Sequence, residues 1–371
     1  MLYAFRVNKD VITAIKDFTK RLMEGNHILG VVTNFRDDKS LSYYYAITND
    51  PDRIDRSVPI APVMPNQGAK ILSDLTKKGS YTKKIAAILR PCEVRASREL
   101  SKINQVDLKS FLIISFDCPG VYSLKNFIKE SGRLEEEFFK NLNTFGIRNP
   151  RSLCPVCEDF TGRLADIEVR YLGLDGVYFI AHSDDAKALF KLLGIGEEID
   201  ESLLNSELMK NKLRERRENR ENFLDSFLQF IGSPDKLLSV LSNCINCHNC
   251  RSVCPICYCR ECFFDSTAFR VSPNLFMERA NRKGGLRFLP DTTLFHLGRM
   301  NHMSFSCVSC GMCEDACPMN IPVGRMFSLV SDRVRAIFNY KPGENIHEPQ
   351  PVLTFKTEEL EEFEVPYFES L

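Results

Sequence analysis

Fifteen cysteines stand in this chain of 371 residues, and eight of them fall in two copies of one spacing. The first copy is C-x2-C-x2-C-x3-C-P, formed by Cys244, Cys247, Cys250 and Cys254 before Pro255. The second is Cys307, Cys310, Cys313 and Cys317 before Pro318. A 4Fe–4S cube needs four thiolates converging on one small volume. A tight turn supplies three of them, and the cysteine before the proline serves the other cluster where two share a fold. The spacing therefore gives Cys244, Cys247, Cys250 and Cys317 to one cluster, and Cys307, Cys310, Cys313 and Cys254 to the other. Zinc ribbons use isolated C-x2-C pairs, not triplets closed by Cys-Pro.

Four more cysteines sit on different elements. Ile85 to Leu89 is a short continuous apolar run, as in a buried parallel strand, and it ends at Arg90-Pro91-Cys92. A helical pattern follows from Glu93 to Ile103, then a second buried run, Phe111 to Ser115, ending at Asp117-Cys118-Pro119-Gly120. That order is a βαβ unit, which places Cys92 and Cys118 just past the carboxyl ends of neighbouring strands. Cys154 and Cys157 form a C-x2-C pair. Together the four make enough thiolates for a third cluster. A thioredoxin-type redox pair, half a zinc site, or inert buried cysteines are the alternatives that spacing leaves open. Cys257, Cys259 and Cys262 are further candidate ligands. They belong either to a fourth cluster completed by a non-cysteine ligand or a partner chain, or to no site at all.

Composition limits the setting. With 44% hydrophobic residues a sizeable core is available, and 49 basic residues balance 49 acidic ones, so nucleic acid is not an expected partner. No apolar run approaches about 18 residues, so no transmembrane segment is expected. The early charges of MLYAFRVNKDVITAIKDF leave no continuous signal core. Cysteine-rich and without an export signal, the chain reads as a cytoplasmic metalloprotein of a reducing, anaerobic cell.

Along the chain, Val11 to Met23 reads as an amphipathic helix, with strands at HILGVV and LSYYYAIT. After the loop PIAPVMPNQG another helix starts at Asn66-Gln67-Gly68. Its free amides and Lys70 suit either a phosphate or an ordinary cap. Residues 164–181 read as a strand pair around Leu174-Asp175-Gly176, and Ser183 to Leu193 as a helix. Residues 201–231 form a helix of interleaved charges, read as a solvated face linking two domains. His296 and His302, in TTLFHLGRMNHM, are candidate neighbours of a cluster or quinone, although packing histidines are commoner. The expected fold is an α/β (α+β) domain with a mixed or parallel sheet, followed by a mostly helical dicluster ferredoxin domain. The expected division is 1–200 for the α/β domain, 201–240 for the charged linker, 241–340 for the ferredoxin part and 341–371 for an acidic tail carrying Glu358, Glu359, Glu361 and Glu362.

At RPCEVRA, DCPG, CPVCEDFTGRLADI and the two cysteine runs, the chain resembles the β-subunit family of deazaflavin-reducing hydrogenase and deazaflavin-dependent formate dehydrogenase. The resemblance implies that residues 1–200 bind FAD, and that Cys92, Cys118, Cys154 and Cys157 hold a core 4Fe–4S cluster. It also implies FAD near Asn66, Gly68, Lys70, Pro91 and Arg95. No G-x-G-x-x-G occurs, so flavin must be bound without the Rossmann fingerprint. The expected function is an iron–sulfur flavoprotein subunit of an oxidoreductase. FAD would exchange a hydride with a soluble two-electron carrier such as a deazaflavin, and clusters would pass single electrons to or from a partner. That partner is a catalytic subunit of formate dehydrogenase or hydrogenase, or a complex of the heterodisulfide-reductase type. The alternative is a flavin-free wire between other redox subunits.

Overall fold

The computed structural model describes residues 1–37, 39, 42–266, 272–285 and 291–354, without the side chains of Phe276 and Asp291. The four glutamates of the expected acidic tail lie outside the described residues.

Eight described strands form one mixed sheet. In chain order they are β1 (Leu2–Val7), β2 (Val31–Asp37), β3 (Ser42–Thr48), β4 (Ile85–Leu89), β5 (Phe111–Phe116), β6 (Ile167–Arg170), β7 (Val177–Ala181) and β8 (Glu197–Ile199). Their order across the sheet is β3-β2-β4-β5-β6-β7-β1-β8. The centre, β2-β4-β5-β6, is parallel, and the outer pairs are antiparallel. The apolar runs of β4 and β5 follow from burial on both faces. Ile85, Ala87, Leu89, Phe111 and Ile113 enter one core, whereas Ala86, Ile88, Leu112 and Ile114 enter the other.

The βαβ unit read from the sequence is present. β4 and β5 pair in parallel with Leu89 opposite Ser115, and the Pro91–Lys102 helix connects them. Proline at its first turn costs no hydrogen bond there. The segment after residue 338 straps this helix. Tyr340 Oη and Gly343 N donate to Glu99 Oε1 at 2.6 and 2.7 Å, and Gln350 Nε2 reaches Glu99 Oε2 at 3.1 Å.

Beyond residue 200 the chain is helical among the described residues, apart from short turns and loops. Its own core gathers Phe227, Leu241, Phe295, Met326 and Phe327 around Cys244, Cys250, Cys254 and Cys317. The charged Glu207–Ile231 helix departs from the expected solvated face. Arg216 and Phe227 are buried, and Arg220 bonds Val156 O at 3.1 Å and pairs with Asp332. Positions 216, 220, 223 and 227 recur at helical spacing, so the buried stripe runs beneath the charges.

Glu168 on β6 is fully buried, 2.8 Å from both Arg170 and His182. Burial raises its carboxyl, but the His182 hydrogen bond and the Arg170 charge outweigh that and hold it below the usual carboxylate range. Such a carboxylate adds stability above its unfolded-chain pKa of about 4.3 and loses it as pH falls through the folded value. Arg170→Leu is expected to cost about 3 kcal/mol, roughly 6–12 °C in apparent thermal midpoint near neutrality. The deficit should shrink only in melts taken below the lowered folded value of the wild type, where the carboxyl is protonated in both proteins.

Candidate metal centre

β4 and β5 deliver Cys92 and Cys118 to one end of the sheet, and the turn from Arg151 delivers Cys154 and Cys157. All four line one cavity, together with Arg90, Gly120, Arg151, Arg216 and Cys310. The turn is set by Cys154 N donating to Arg151 O at 2.8 Å, and Cys118 N donates to Phe160 O at 2.7 Å. Gly120 has φ +106°, and a Cβ there would lie 3.1 Å from Cys154 Cβ. Only glycine holds this conformation without strain.

The two cysteine runs fold alike. In the first, Asn246 and His248 have φ of 56° and 57°; in the second, Ser309 and Gly311 have 56° and 75°. These are equivalent positions, two and four residues after the leading cysteine. Each loop then enters a short helix, Asn249–Ser252 or Met312–Asp315. The left-handed residues turn the backbone so that three sulfurs face inward, and Asn246 N–H points at Cys244 Sγ at 3.4 Å. Cys250 lies among Cys244, Cys247 and Cys317, the quartet read from the spacing. Cys313 neighbours Cys310, Cys307 and also Cys250, so the two sets adjoin. Cys254, the expected partner of the second set, lies 3.7 Å from Met303 Sδ.

Burial pushes these thiols up: Cys157, Cys250 and Cys310 to about 11, Cys92 and Cys313 well above the ordinary value. A thiol in such dry surroundings keeps its proton until a metal displaces it. The thiols are also met by buried guanidinium groups. Arg90 Nη1 lies 3.4 Å from Cys118 Sγ, and Arg299 Nη1 3.0 Å from Cys250 Sγ. Arg216 reaches the carbonyls of Cys157, Cys118 and Pro119 at 3.2–3.4 Å and stacks 4.2 Å from the Phe160 ring. Arg335 donates to Cys307 O at 2.6 Å. His296 is buried with Nε2 3.3 Å from Cys244 Sγ, so it packs on a thiol of the first run. Sequence reading did not single out Arg90, Arg299 or Arg335. Among the described residues no three His, Cys, Asp or Glu side chains close on a point fit for a single ion.

The residues expected near FAD are engaged within the protein itself. Gly68 N donates to Glu93 Oε1 at 2.7 Å, Ala69 N to Gln67 Oε1 at 2.7 Å and Lys70 N to Gln67 O at 3.0 Å. The amides at the helix start are therefore taken. Lys70 Nζ bonds Ser252 O, Asn66 is exposed, and Pro91 opens its helix and lines the cavity of the four cysteines. Arg95 is buried in an ion pair with Asp159 at 2.8 Å, and its Nε donates to Pro342 O at 3.0 Å. Glu93 serves as an internal anion at this start, and it also takes the amide of Arg90 and the hydroxyl of Tyr45.

Comparison with known proteins agrees with the iron–sulfur geometry. Residues 240–321 match the 4Fe-4S dicluster domain family. The chain is 27% identical to the F420-dependent formate dehydrogenase subunit beta of Methanocaldococcus jannaschii, covering 80% of this chain and 82% of that one. The chain is thus similar to formate dehydrogenase β subunits over most of its length. It is also 29% identical to the F420-dependent formate dehydrogenase 1 subunit beta of Methanococcus maripaludis, over 70% and 73% of the two chains. A chain of the F420-reducing [NiFe] hydrogenase complex from Methanosarcina barkeri aligns with TM-score 0.44 and 11% identity, over 63% of this chain and 93% of that one. The 4Fe–4S chemistry read from the spacing is thus matched by a family, and these relatives are oxidoreductase subunits. Among the described residues no helix is long and apolar enough to cross a membrane.

Gly120→Ala is expected to lower the apparent thermal midpoint by about 2–6 °C, from roughly 1–2 kcal/mol of backbone strain and the push on Cys154. Calorimetry of wild type and variant checks this, with Gly132→Ala, a glycine whose Cβ would meet nothing within 4 Å, as control.

Proposed function

We propose that this chain is the iron–sulfur electron-transfer subunit of a deazaflavin-linked oxidoreductase of the formate dehydrogenase or hydrogenase type, working beside a separate catalytic subunit. Residues 1–200 would carry a core cluster on Cys92, Cys118, Cys154 and Cys157, and residues 241–340 the ferredoxin pair. The 201–240 segment would be a docked brace rather than a free linker. The single observation that carries this reading is that Cys310 of the second run lines the same cavity as the core quartet. With Cys313 next to Cys250, the clusters would stand in a row: the core, then the Cys307 set, then the Cys244 set. Single electrons would pass along it without any side chain acting as acid or base. The protein's part is to hold the sulfurs, exclude water and set potentials through buried cations. The second reading is a wire without flavin, which would take single electrons from another redox subunit because a hydride carrier needs a flavin to split its electron pair; no step is routed through FAD. Protein purified without oxygen and then denatured separates the two, since releasable FAD would rule out the wire.

Cys118→Ser tests the row. It is expected to remove about four iron atoms per chain and to abolish electron passage between the carrier and the partner in the assembled complex. Full iron content with undiminished turnover would end the proposed order. A second variant, Arg299→Met, removes a cation from Cys250 while keeping bulk. It should lower the midpoint potential of the neighbouring cluster by tens of millivolts, about 59 mV per 1.4 kcal/mol of lost preference for the reduced form. Redox titration followed by electron paramagnetic resonance reads that shift.

A further inference from the structure

We propose that Cys257, Cys259 and Cys262 hold a further 4Fe–4S cluster whose fourth iron is bound by the His302 imidazole. These thiols belong to neither cysteine run's quartet nor to the core set. The fold nevertheless brings all three to the wall of one cavity of about 410 Å³, and His302 lies on the same wall. The loop carrying them leaves the first run at Cys254, while His302 comes from the Asp291–Met303 helix, some forty residues later. Convergence from two separate elements is what a ligand set requires and what spare cysteines beside a motif do not show.

The wall suits an anionic inorganic core. Arg251 and Arg299 both line it. Arg299 is already 3.0 Å from Cys250 Sγ, and Arg251 is paired with Asp265 at 2.6 Å. The site also adjoins an assigned one: Met303 Sδ lies 3.1 Å from Cys257 Sγ and 3.7 Å from Cys254 Sγ, the thiol that closes the Cys307 set. Three cysteines and a histidine are equally a donor set for structural zinc. One observation favours the cube: structural zinc is enclosed by its ligands, whereas Cys259 and His302 are exposed. A cluster here would have one edge open at the surface. Imidazole in place of one thiolate removes a negative charge and raises the potential. That makes this cluster the acceptor end of the row, on the face where a redox partner would meet it.

The test is metal analysis of the full chain purified without oxygen. Iron is expected near sixteen atoms per chain, with matching sulfide and no stoichiometric zinc, against about twelve for three clusters. Cys259→Ser and Cys262→Ser should each lower iron by about four while the resonance signals of the other clusters persist. Because Cys259 is exposed, its replacement leaves the packed interior intact. His302→Ala should alter the resonance of one cluster and no other. Twelve iron atoms in the wild type, unchanged in Cys262→Ser, would overturn the proposal, and so would one zinc per chain. The Cys118→Ser count reports on the core set alone, so either proposal can fail without the other.

Discussion

Thiolates gathered in a dry interior repel one another, and every other feature of this molecule answers that constraint. Burial is the largest cause that drives the thiols of Cys92, Cys250, Cys310 and Cys313 up, and neighbouring thiols add to it. Positive charge must therefore come from within. Part arrives with the metal core, and part is built in as guanidinium groups. Arg90 and Arg299 stand at hydrogen-bond distance from the sulfurs of Cys118 and Cys250, Arg216 binds the carbonyls of Cys118 and Cys157, and Arg335 binds that of Cys307. Arginine suits this role better than lysine, because its charge is spread over a plane and does not titrate away when buried. Each plane is also supported: Arg299 lies 4.9 Å from the Phe327 ring, and Arg216 lies on Phe160.

Much of this framework was legible in the cysteine spacing and in the runs IAAIL and FLIIS. Those features are local: a strand buried on both faces must be apolar throughout, and a cluster loop must space its sulfurs regularly. Strand β4 spans the residues expected of it, and β5 differs by one residue. The arginines were not legible, because their partners lie 28 to 98 residues away. Arg216 looked like one charge among many in RERRENRENF. What sets it apart is the helical register it shares with Arg220, Phe223 and Phe227, a stripe that charge counting conceals. The partner of the Gly68 helix start was not legible for a related reason. Free amides and a lysine resemble an anion site only until Glu93, twenty-five residues on, supplies the carboxylate.

Glu93 shows how the fold economises on buried charge. One carboxylate takes the amides of Gly68 and Arg90 and the hydroxyl of Tyr45. It thereby closes two helix starts and ties β3 to both. Burial raises it, but the Arg90 charge and the amides act in the opposite sense. The same arginine then reaches Cys118, so the helix that presents Cys92 and the cation that faces Cys118 are fixed by one network.

The join between the two halves follows similar logic. Arg151 Nη2 lies 2.7 Å from Asp315 Oδ2, and both side chains are almost fully buried. Arg151 also donates to Cys310 O and Met64 O, and Asp315 accepts from Leu124 N. A buried ion pair of this kind contributes little net stability, because desolvation consumes most of the attraction. Its value lies in geometry. Arg151 begins the turn that carries Cys154 and Cys157, and Asp315 sits in the short helix that follows Cys310. An apolar contact would tolerate sliding between the halves, whereas a charged hydrogen bond has one good position. The pair therefore fixes the register between the core quartet and the second run. Electron transfer falls off steeply with separation, so a polar bond that adds little to stability is well placed where distance matters most.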